Sequence, residues 1–316
     1  MKLISSINNF GFEAMKTLVQ SNMESNIFFS PPSAYFILSL LEMGAKGNTF
    51  EELKKKLGQD FSILLGNIEN DCTLTLKRDF KQFFEQLQIS TKCNSKVFHQ
   101  FELIPNYEQK AVEIFKIKKE KVNFTEGLSA MHIMNKWVSC MTNGNIKELF
   151  SHPLPSETTF VLINTILFES KWGDRFDPSY TKLETFYICN KITCQVQMMN
   201  KKMYCGHFRD SDSFISLLVL PFKTKNMVSI FILPDEECNI KKIIENLKAS
   251  DISAWYNKSR ETNVDVSIPK LSLSNHLPLK ECLESMKVKD LFTPYVSDLS
   301  NISDTQSSVT DIFSMC

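Results

Sequence analysis

The sequence predicts a mixed α/β fold, a multi-sheet α+β architecture, from three observations. Residues 158–168, TTFVLINTILF, are apolar or β-branched at nearly every position, which is typical of a central strand covered on both faces. Two apolar runs, FISLLVLPF and MVSIFILPDE, flank a polar turn at residues 223–226 and predict an antiparallel hairpin. Segments with helical periodicity precede and follow these strands, so helices and sheets share the chain.

The N-terminal third begins with two predicted helices of different character. Apolar residues recur at helical spacing from Ile4 to Val19 and predict an amphipathic helix of about four turns. A short strand, NIFF, is then expected to stop at two prolines. Ser33 is the expected cap of the next helix, which is apolar on nearly every side and ends at Gly44. A helix without a polar face belongs in the interior.

Local signals predict the remaining elements in order. Thr49 and Glu52 form a capping box for an exposed helix that ends near Leu57. Further helices are expected at residues 72–87, after Ile104-Pro105, and at 128–141, 240–247 and 250–256, with strands at TKCNSKVFHQ and KVNF. The lysine-rich run KIKKEK, residues 116–121, is expected to be a solvated strand edge guarded by lysines, with a polyanion site as the alternative.

Composition limits the classes of partner and the cellular location. Lys plus Arg equal Asp plus Glu at 36 each, which argues against general attraction to nucleic acid or a membrane. The N-terminus lacks the apolar region of a signal peptide, and no window approaches the ~20 apolar residues of a membrane span. Nine cysteines without a CxxC pair indicate reduced thiols. We therefore expect a cytoplasmic protein, and the scarcity of Gly and Pro indicates one domain over residues 1–316.

No catalytic or metal-binding motif is present in the sequence. The histidines are isolated, without HExxH or paired metal spacing, at positions His99, His132, His152, His207 and His276. GxSxG, P-loop and GxGxxG motifs are absent as well. We expect no enzyme activity, no cofactor and no metal site. A triad assembled from distant positions is the remaining alternative, because such triads are spatial rather than sequential.

Two residues of the central strand region call for an explanation. Asn164 lies in the middle of the apolar run, where an amide without buried partners costs about 1–3 kcal/mol. Either Asn164 belongs to a hydrogen-bond network or the strand prediction is wrong. Trp172 follows the strand and is expected at the open end of the sheet. For both residues, structural packing is the alternative to a functional role.

Several segments together resemble the serpin family of serine protease inhibitors. Residues 26–33 have the pattern Asn-x-Phe-x-Ser-Pro-x-Ser and are followed by Gly-Ala-Lys-Gly-Asn-Thr at residues 44–49. Residues 135–150 resemble the family segment Asn-x-Trp-Val…Thr-Asn-Gly-x-Ile-x-x-Leu-Phe. The resemblance implies a single serpin domain with a large central sheet, additional sheets and about eight or nine helices. It is closest in character to the intracellular and poxvirus-type members, which also lack signal peptides.

The resemblance implies a mechanical function. Serpins offer an exposed reactive loop to a protease, which is trapped as an acyl intermediate when the cleaved loop inserts as a new strand in the central sheet. The family's sheet-opening cluster corresponds to Ser30, Ser33 and Asn164, and Trp172 lies where the loop would first enter. The implied partner is a host serine or cysteine protease.

The sequence departs from the family in the central strand and at its end. Thr165 replaces the usual Ala, and Glu169 replaces the usual Lys. The final SSVTDIFSMC begins a strand, with Ser314 and Met315 where His and Lys are usual, and no hinge, reactive loop or closing hairpin follows. The resemblance thus implies a serpin missing its C-terminal strands, non-inhibitory as given, with low solubility or a need for a partner. We expect a viral and cytoplasmic serpin that descends from an inhibitor of serine or cysteine proteases. The alternative is a non-inhibitory, serpin-like binding protein that engages a host or viral partner.

Overall fold

The computed structural model describes residues 2–21, 26–66, 70–189, 192–235, 240–271, 279–310 and 312–315. Within this part of the chain the α-helices are α1 (Lys2–Ser21), α2 (Pro31–Gly44), α3 (Gly47–Leu57), α4 (Asp71–Gln88), α5 (Pro105–Phe115), α6 (Gly127–Met141), α7 (Ile240–Asn246), α8 (Ala249–Lys258) and α9 (Leu279–Ser285). The strands are β1 (Thr91–His99), β2 (Lys118–Lys121), β3 (Phe160–Phe168), β4 (Thr181–Cys189), β5 (Ile192–Asp210), β6 (Ile215–Pro221), β7 (Val228–Pro234), β8 (Arg260–Pro269) and β9 (Phe313–Met315). Short 3₁₀ helices cover Ser62–Leu65, Pro178–Tyr180 and Asp290–Phe292. The predicted mixed α/β class is confirmed.

The chain divides into two compact units. The first consists of Met1–Phe168 with Asn275–Cys316, and the second of Glu169–Ser274. Each unit has its own sheet: the order is β2-β1-β3-β9 in the first, and β4-β5-β6-β7 in the second, where β8 also pairs with β5. The prediction of a single domain over residues 1–316 stays a prediction.

The sheet of the first unit combines one long antiparallel pair with two short parallel pairs. β1 and β3 pair antiparallel over nine residues, from Thr91 opposite Phe168 to His99 opposite Phe160. β2 runs parallel to β1 at one edge. β9 runs parallel to β3 at the other edge, where three positions of β3, residues 163–165, are in register with it. The strand that the final segment was expected to begin is therefore present.

β3 is covered on both faces, as its apolar sequence predicts. Phe160 and Leu162 belong to a large apolar cluster that also contains the buried residues of α1, α2, α5 and α9. Val161 and Ile163 belong to a second cluster with residues of α6. The alternation follows from the two-residue period of a strand, which sends neighbouring side chains to opposite faces.

α2 is the buried helix that the sequence predicts, but its start differs from the prediction. Every residue from Ser33 to Gly44 is buried. The expected cap at Ser33 is wrong: the helix begins at Pro31 after Ser30, because proline fits a first helical turn. The predicted strand NIFF is also wrong, since residues 26–30 form no strand. Ile27 and Phe29 pack on the core cluster instead, whereas Phe28 is 41% exposed.

The predicted capping box of α3 is also wrong, because its two side chains bind a distant segment. Thr49 Oγ1 accepts a hydrogen bond from the Asp298 amide at 3.0 Å. Glu52 Oε2 accepts from the amides of Lys289 at 2.7 Å and Asp290 at 3.0 Å. These partners come from more than 230 residues further along the chain, so local spacing carries no information about them.

The lysine-rich run contains the edge strand β2. Lys118, Lys119 and Lys121 are exposed, and the strand begins earlier than the predicted KVNF strand. Lys119 forms an ion pair with Glu108, and Lys121 forms one with Glu102. The predicted lysine-guarded edge is confirmed.

The second unit contains the predicted hairpin. β6 and β7 pair antiparallel over seven residues, and Ile215, Leu217 and Val219 of β6 are buried. β7 is an edge strand, and Leu233 on it is 69% exposed. The hairpin of β4 with the long strand β5 was not predicted. Within the described ranges, none of the helices combines the length and the hydropathy that a membrane-spanning segment needs.

Candidate functional site

The buried amide of Asn164 lies between three elements of the first unit. In the sheet, Asn164 stands opposite Ser95 of β1 on one side and opposite Ser314 of β9 on the other. Its side chain is fully buried. Ser314, at the position where the resembled family usually has His, is therefore the direct neighbour of Asn164 in the sheet.

Both ends of the Asn164 amide are hydrogen-bonded. The Ser33 hydroxyl of α2 donates to Asn164 Oδ1. Asn164 Nδ2 donates to Ser95 Oγ at 2.6 Å, and Cys93 Sγ lies 3.6 Å away as a weaker acceptor. The single amide thus connects α2, β3 and β1. Its hydrogen bonds offset the cost of removing the Asn164 side chain from water.

The structure brings two of the three predicted cluster residues together. Ser33 lies inside the first turn of α2, which aims its hydroxyl at β3, and is 1% exposed. Ser30 is half-buried at the start of the helix. Its carbonyl accepts hydrogen bonds from the amides of Ser33 and Ala34, and within the described residues its side chain makes no capping bond. The proposed role of the three residues in sheet opening stays a prediction.

Ser95 and Cys93 are the members of the cluster that sequence reasoning missed. Both lie on β1 and point to the Asn164 side of the sheet, two residues apart. Burial raises the pKa of the Cys93 thiol to about 11, and its contact with Asn164 opposes that shift. Ser95 could have been found from the sequence only as a polar residue opposite Asn164 in the sheet. That search requires the register of β1 against β3, which the sequence does not reveal.

Thr165 is accommodated in the buried strand by one long hydrogen bond. Its side chain is fully buried, and Oγ1 donates to the Asn94 carbonyl at 3.4 Å. Its backbone stands opposite Met315 of β9. The Thr165 hydroxyl, where the resembled family usually has Ala, is therefore bonded towards β1, and only the Thr165 backbone faces β9.

Trp172 belongs to the second unit. Its ring stacks on Phe222 with 4.8 Å between centroids and meets Phe176 edge-on at 6.2 Å. Trp172 and Phe222 also form an isolated antiparallel bridge. This packing fits the structural alternative, and the role at the loop-entry end stays a prediction.

The side chains of the cluster are suited to linking structural elements and not to catalysis. It contains hydroxyls, an amide and a thiol, but no charged group that would serve as a general acid or base. Across the described residues, no group of three His, Cys, Asp or Glu could hold a metal ion. His99 is buried with Nδ1 2.7 Å from the Phe101 carbonyl, and His276 lies outside the described residues.

Comparisons with known proteins agree with the resemblance. A family model described as "Serpin (serine protease inhibitor)" matches residues 5–315. The bovine protein Serpin A3-5 is 29% identical over 308 residues, which are 97% of this chain and 74% of the relative. A mouse serine protease inhibitor of the same A3 group is 30% identical over 317 residues, covering 96% of this chain and 72% of the relative.

Solved structures share the same fold. The mouse protein-Z dependent protease inhibitor matches with a TM-score of 0.89 and 23% identity, covering 99% of this chain and 83% of its own. Emu ovalbumin matches with a TM-score of 0.88 and 24% identity, covering 97% and 83%. A thyroxine-binding globulin in complex with thyroxine matches with a TM-score of 0.89 and 22% identity, covering 100% and 86%. The two sequence relatives are mammalian, so the intracellular or poxvirus-type assignment stays a prediction.

Proposed function

Since this chain belongs to the serpin family of serine protease inhibitors, we propose that it inhibits a serine protease by inserting a cleaved loop into the sheet of its first unit. Serpins inhibit proteases and are not enzymes themselves. The observation that carries the proposal is the short parallel seam between β3 and β9, which is where a new strand would enter.

The seam between β3 and β9 differs in direction from the other contact that β3 makes in its sheet. Among the described residues, β3 pairs antiparallel with β1 over nine positions and parallel with β9 at positions 313–315. Parallel pairs are slightly less stable per residue than antiparallel ones. A strand that enters between β3 and β9 and runs antiparallel to both would replace the parallel pairing by antiparallel pairings.

The Asn164 cluster supports opening on the β9 side. Its side-chain hydrogen bonds fasten β3 to α2 through Ser33 and to β1 through Ser95. When the sheet opens, β3 would therefore stay with α2 and β1 while β9 moves away. In this proposal Asn164 determines which seam opens.

Trapping also requires a bait segment, and none of the 316 residues resembles one. We therefore expect covalent trapping only from a product in which such a segment follows Cys316, and no trapping by the 316 residues alone. A natural product several kilodaltons heavier than this chain would be the active form.

The experiment is to incubate the natural product with serine proteases and to resolve the mixture by denaturing electrophoresis. The proposal predicts an adduct that survives detergent, because the protease serine stays acylated. The matched control is the same protease with its serine blocked, which should give no adduct. Cleavage of the protein without any adduct would overturn the inhibitor proposal.

The second candidate is a non-inhibitory serpin that binds a partner. It is favoured by Ser314, which stands beside Asn164 where the family usually has His. The fold is also shared with a thyroxine-binding globulin that was solved with thyroxine. This candidate predicts no adduct with any protease, and a stable, reversible complex with a host or viral protein instead.

We further propose a cytoplasmic location and allow a cysteine protease as an alternative target. The support is that Cys72, Cys93, Cys140, Cys194, Cys205 and Cys282 are all unpaired among the described residues. Thiol counting on the denatured natural product tests the location, because a disulfide-bonded product would contradict it. Including cysteine proteases in the adduct assay tests the target class.

A further inference from the structure

A cavity beside α6 is lined by polar side chains that the proposed function does not use. Its volume is about 500 Å³, and it lies between α6 and the segment that follows the helix. Met134 and Val138 of α6 join the apolar cluster on one face of β3, whereas Asn164 bonds to α2 on the other face. The cavity is therefore separate from the Asn164 cluster. Its size is within the range of about 300–1,000 Å³ that is typical of sites for small organic molecules.

α6 contributes two rows of side chains to the cavity. The outer row consists of exposed side chains one helical turn apart, His132, Lys136 and Cys140. The inner row lies beside it on the helix and consists of Met131, Asn135 and Ser139. Met131 and Asn135 are buried, and Ser139 is half-buried. The helix thus supplies an imidazole, an ammonium group, a thiol and a hydroxyl beside a floor formed by a thioether and an amide.

The opposite wall is held in place relative to α6 by hydrogen bonds. Asn135 Oδ1 accepts from the amides of Leu149 and Phe150, each at 2.9 Å, and Asn135 Nδ2 donates to the Phe150 carbonyl at 2.8 Å. At the other end of this wall, the Ile146 amide donates to Thr142 Oγ1 at 3.2 Å. The two residues between these anchors line the cavity and are therefore fixed in the folded chain. A preformed site loses less conformational entropy when a ligand binds.

The charged groups of the cavity favour an anion. Lys136 lies on α6 and Lys147 on the opposite wall, and neither lysine forms an ion pair with another described residue. Glu148 is the acidic residue among those that line the cavity, so two ammonium groups face one carboxylate. His132 and Ser139 add an imidazole and a hydroxyl that can donate hydrogen bonds. An anion between the two walls would therefore be attracted from both sides.

We propose that this cavity binds a small organic phosphomonoester. At pH 7 such a group carries a charge of about −1.5 to −2, which two lysines balance, and lysine binds phosphate as a point charge. A carboxylate ligand has a single charge and would leave one of the lysines unpaired. The organic part of the ligand would lie on Met131 and the alkyl stems of the lysines. Inorganic phosphate would leave most of the volume to water, since one water takes about 30 Å³.

Protection of Cys140 from alkylation tests the site, with phenyl phosphate as the probe. Cys140 lines the cavity and is exposed, and Cys72 is an exposed thiol on α4 that serves as the internal control. In iodoacetamide at constant ionic strength, phenyl phosphate at ten times its dissociation constant should slow labelling of Cys140 about tenfold, because only the empty site reacts. Labelling of Cys72 should not change. Unchanged labelling of Cys140, or equal slowing at both thiols, would overturn the proposal.

Two further probes separate the phosphate from the organic part of the ligand. Phenol at the same concentrations should not protect Cys140, because it lacks the charge that the lysines bind. Inorganic phosphate should protect Cys140 with about tenfold lower affinity, because it leaves the Met131 side chain uncovered. Equal affinities for phenyl phosphate and inorganic phosphate would overturn the organic class of the ligand. Protection by phenol would overturn the recognition of charge.

Charge substitutions at the cavity should act in opposite directions. Lys136→Gln and Lys147→Gln should each weaken the protection of Cys140 about tenfold, because each removes a charge-assisted contact. Glu148→Gln should strengthen the protection, because it removes a carboxylate that repels the ligand. Lys55→Gln is the matched control, since Lys55 is an exposed lysine on α3, and it should leave the affinity unchanged. Unchanged affinity in both lysine variants, or weaker binding in Glu148→Gln, would overturn the binding mode.

Urea unfolding of the wild type makes the test independent of how well the variants fold. Phenyl phosphate at ten times the dissociation constant obtained from Cys140 protection should lower the unfolding constant about tenfold, because the cavity exists only in the folded chain. Protection of Cys140 without any change in the unfolding constant would overturn a site formed by the fold.

Discussion

The replacement of Asn164 by alanine is the most informative perturbation of the candidate site. Asn164→Ala removes the acceptor of the Ser33 hydroxyl and the donor to Ser95, and all three side chains are buried. Each buried polar group that is left without its partner costs about 1–3 kcal/mol, so we expect a loss of roughly 2–6 kcal/mol in the free energy of unfolding. The small cavity that the missing amide leaves adds to this loss.

Urea denaturation followed by tryptophan fluorescence and circular dichroism measures this loss. Asn263→Ala is the matched control, because Asn263 is an exposed asparagine in the strand β8 and its removal should change stability by less than about 0.5 kcal/mol. Combining Asn164→Ala with Ser33→Ala should give a coupling energy of about 0.5–3 kcal/mol. A loss below about 1 kcal/mol at Asn164, or additive single mutants, would refute the hydrogen-bonded junction.

Three further predictions concern the rest of the first unit. In Gly44→Ala the new Cβ would lie 2.2 Å from Ile302 Cγ1, so we expect a loss of about 1–3 kcal/mol in chemical denaturation, and an unchanged stability would contradict the packing. Glu52→Ala should speed hydrogen exchange of the Asp290 amide, and Glu52→Gln should restore it because it keeps the acceptor. Lys119→Met removes an ion pair at a strand edge and should change stability by no more than about 1 kcal/mol, and a larger loss would show that the edge charge is structural.

Helices and strands whose side chains are almost all apolar, because they are buried, could be predicted from the sequence. α2 and β3 are apolar almost throughout, because α2 lies inside a core cluster and β3 is covered by one cluster on each face. The β6–β7 hairpin was predictable for a similar reason, since two apolar runs flank a short polar turn. In these segments a local pattern carries the information because burial is the dominant free-energy term.

Features that depend on distant partners could not be predicted. Ser33 and Thr49 have the composition of helix caps, but Ser33 binds Asn164 and Thr49 binds the Asp298 amide. The hairpin of β4 and β5 gave a weak signal because large side chains such as Leu183 and Tyr187 are exposed on it, at 63% and 76%. The register that places Ser95 opposite Asn164 is likewise set by the pairing of two strands and not by either strand alone.

The most direct test of the central claim is residue-resolved hydrogen exchange in the sheet of the first unit. Our proposal is that β3 stays attached to β1 and α2 while the seam with β9 opens. It predicts that amides bonded across β3 and β9 exchange through local opening, at least about tenfold faster than those across β1 and β3. Equal protection on both sides of β3, lost only on global unfolding, would contradict a sheet that opens at this seam.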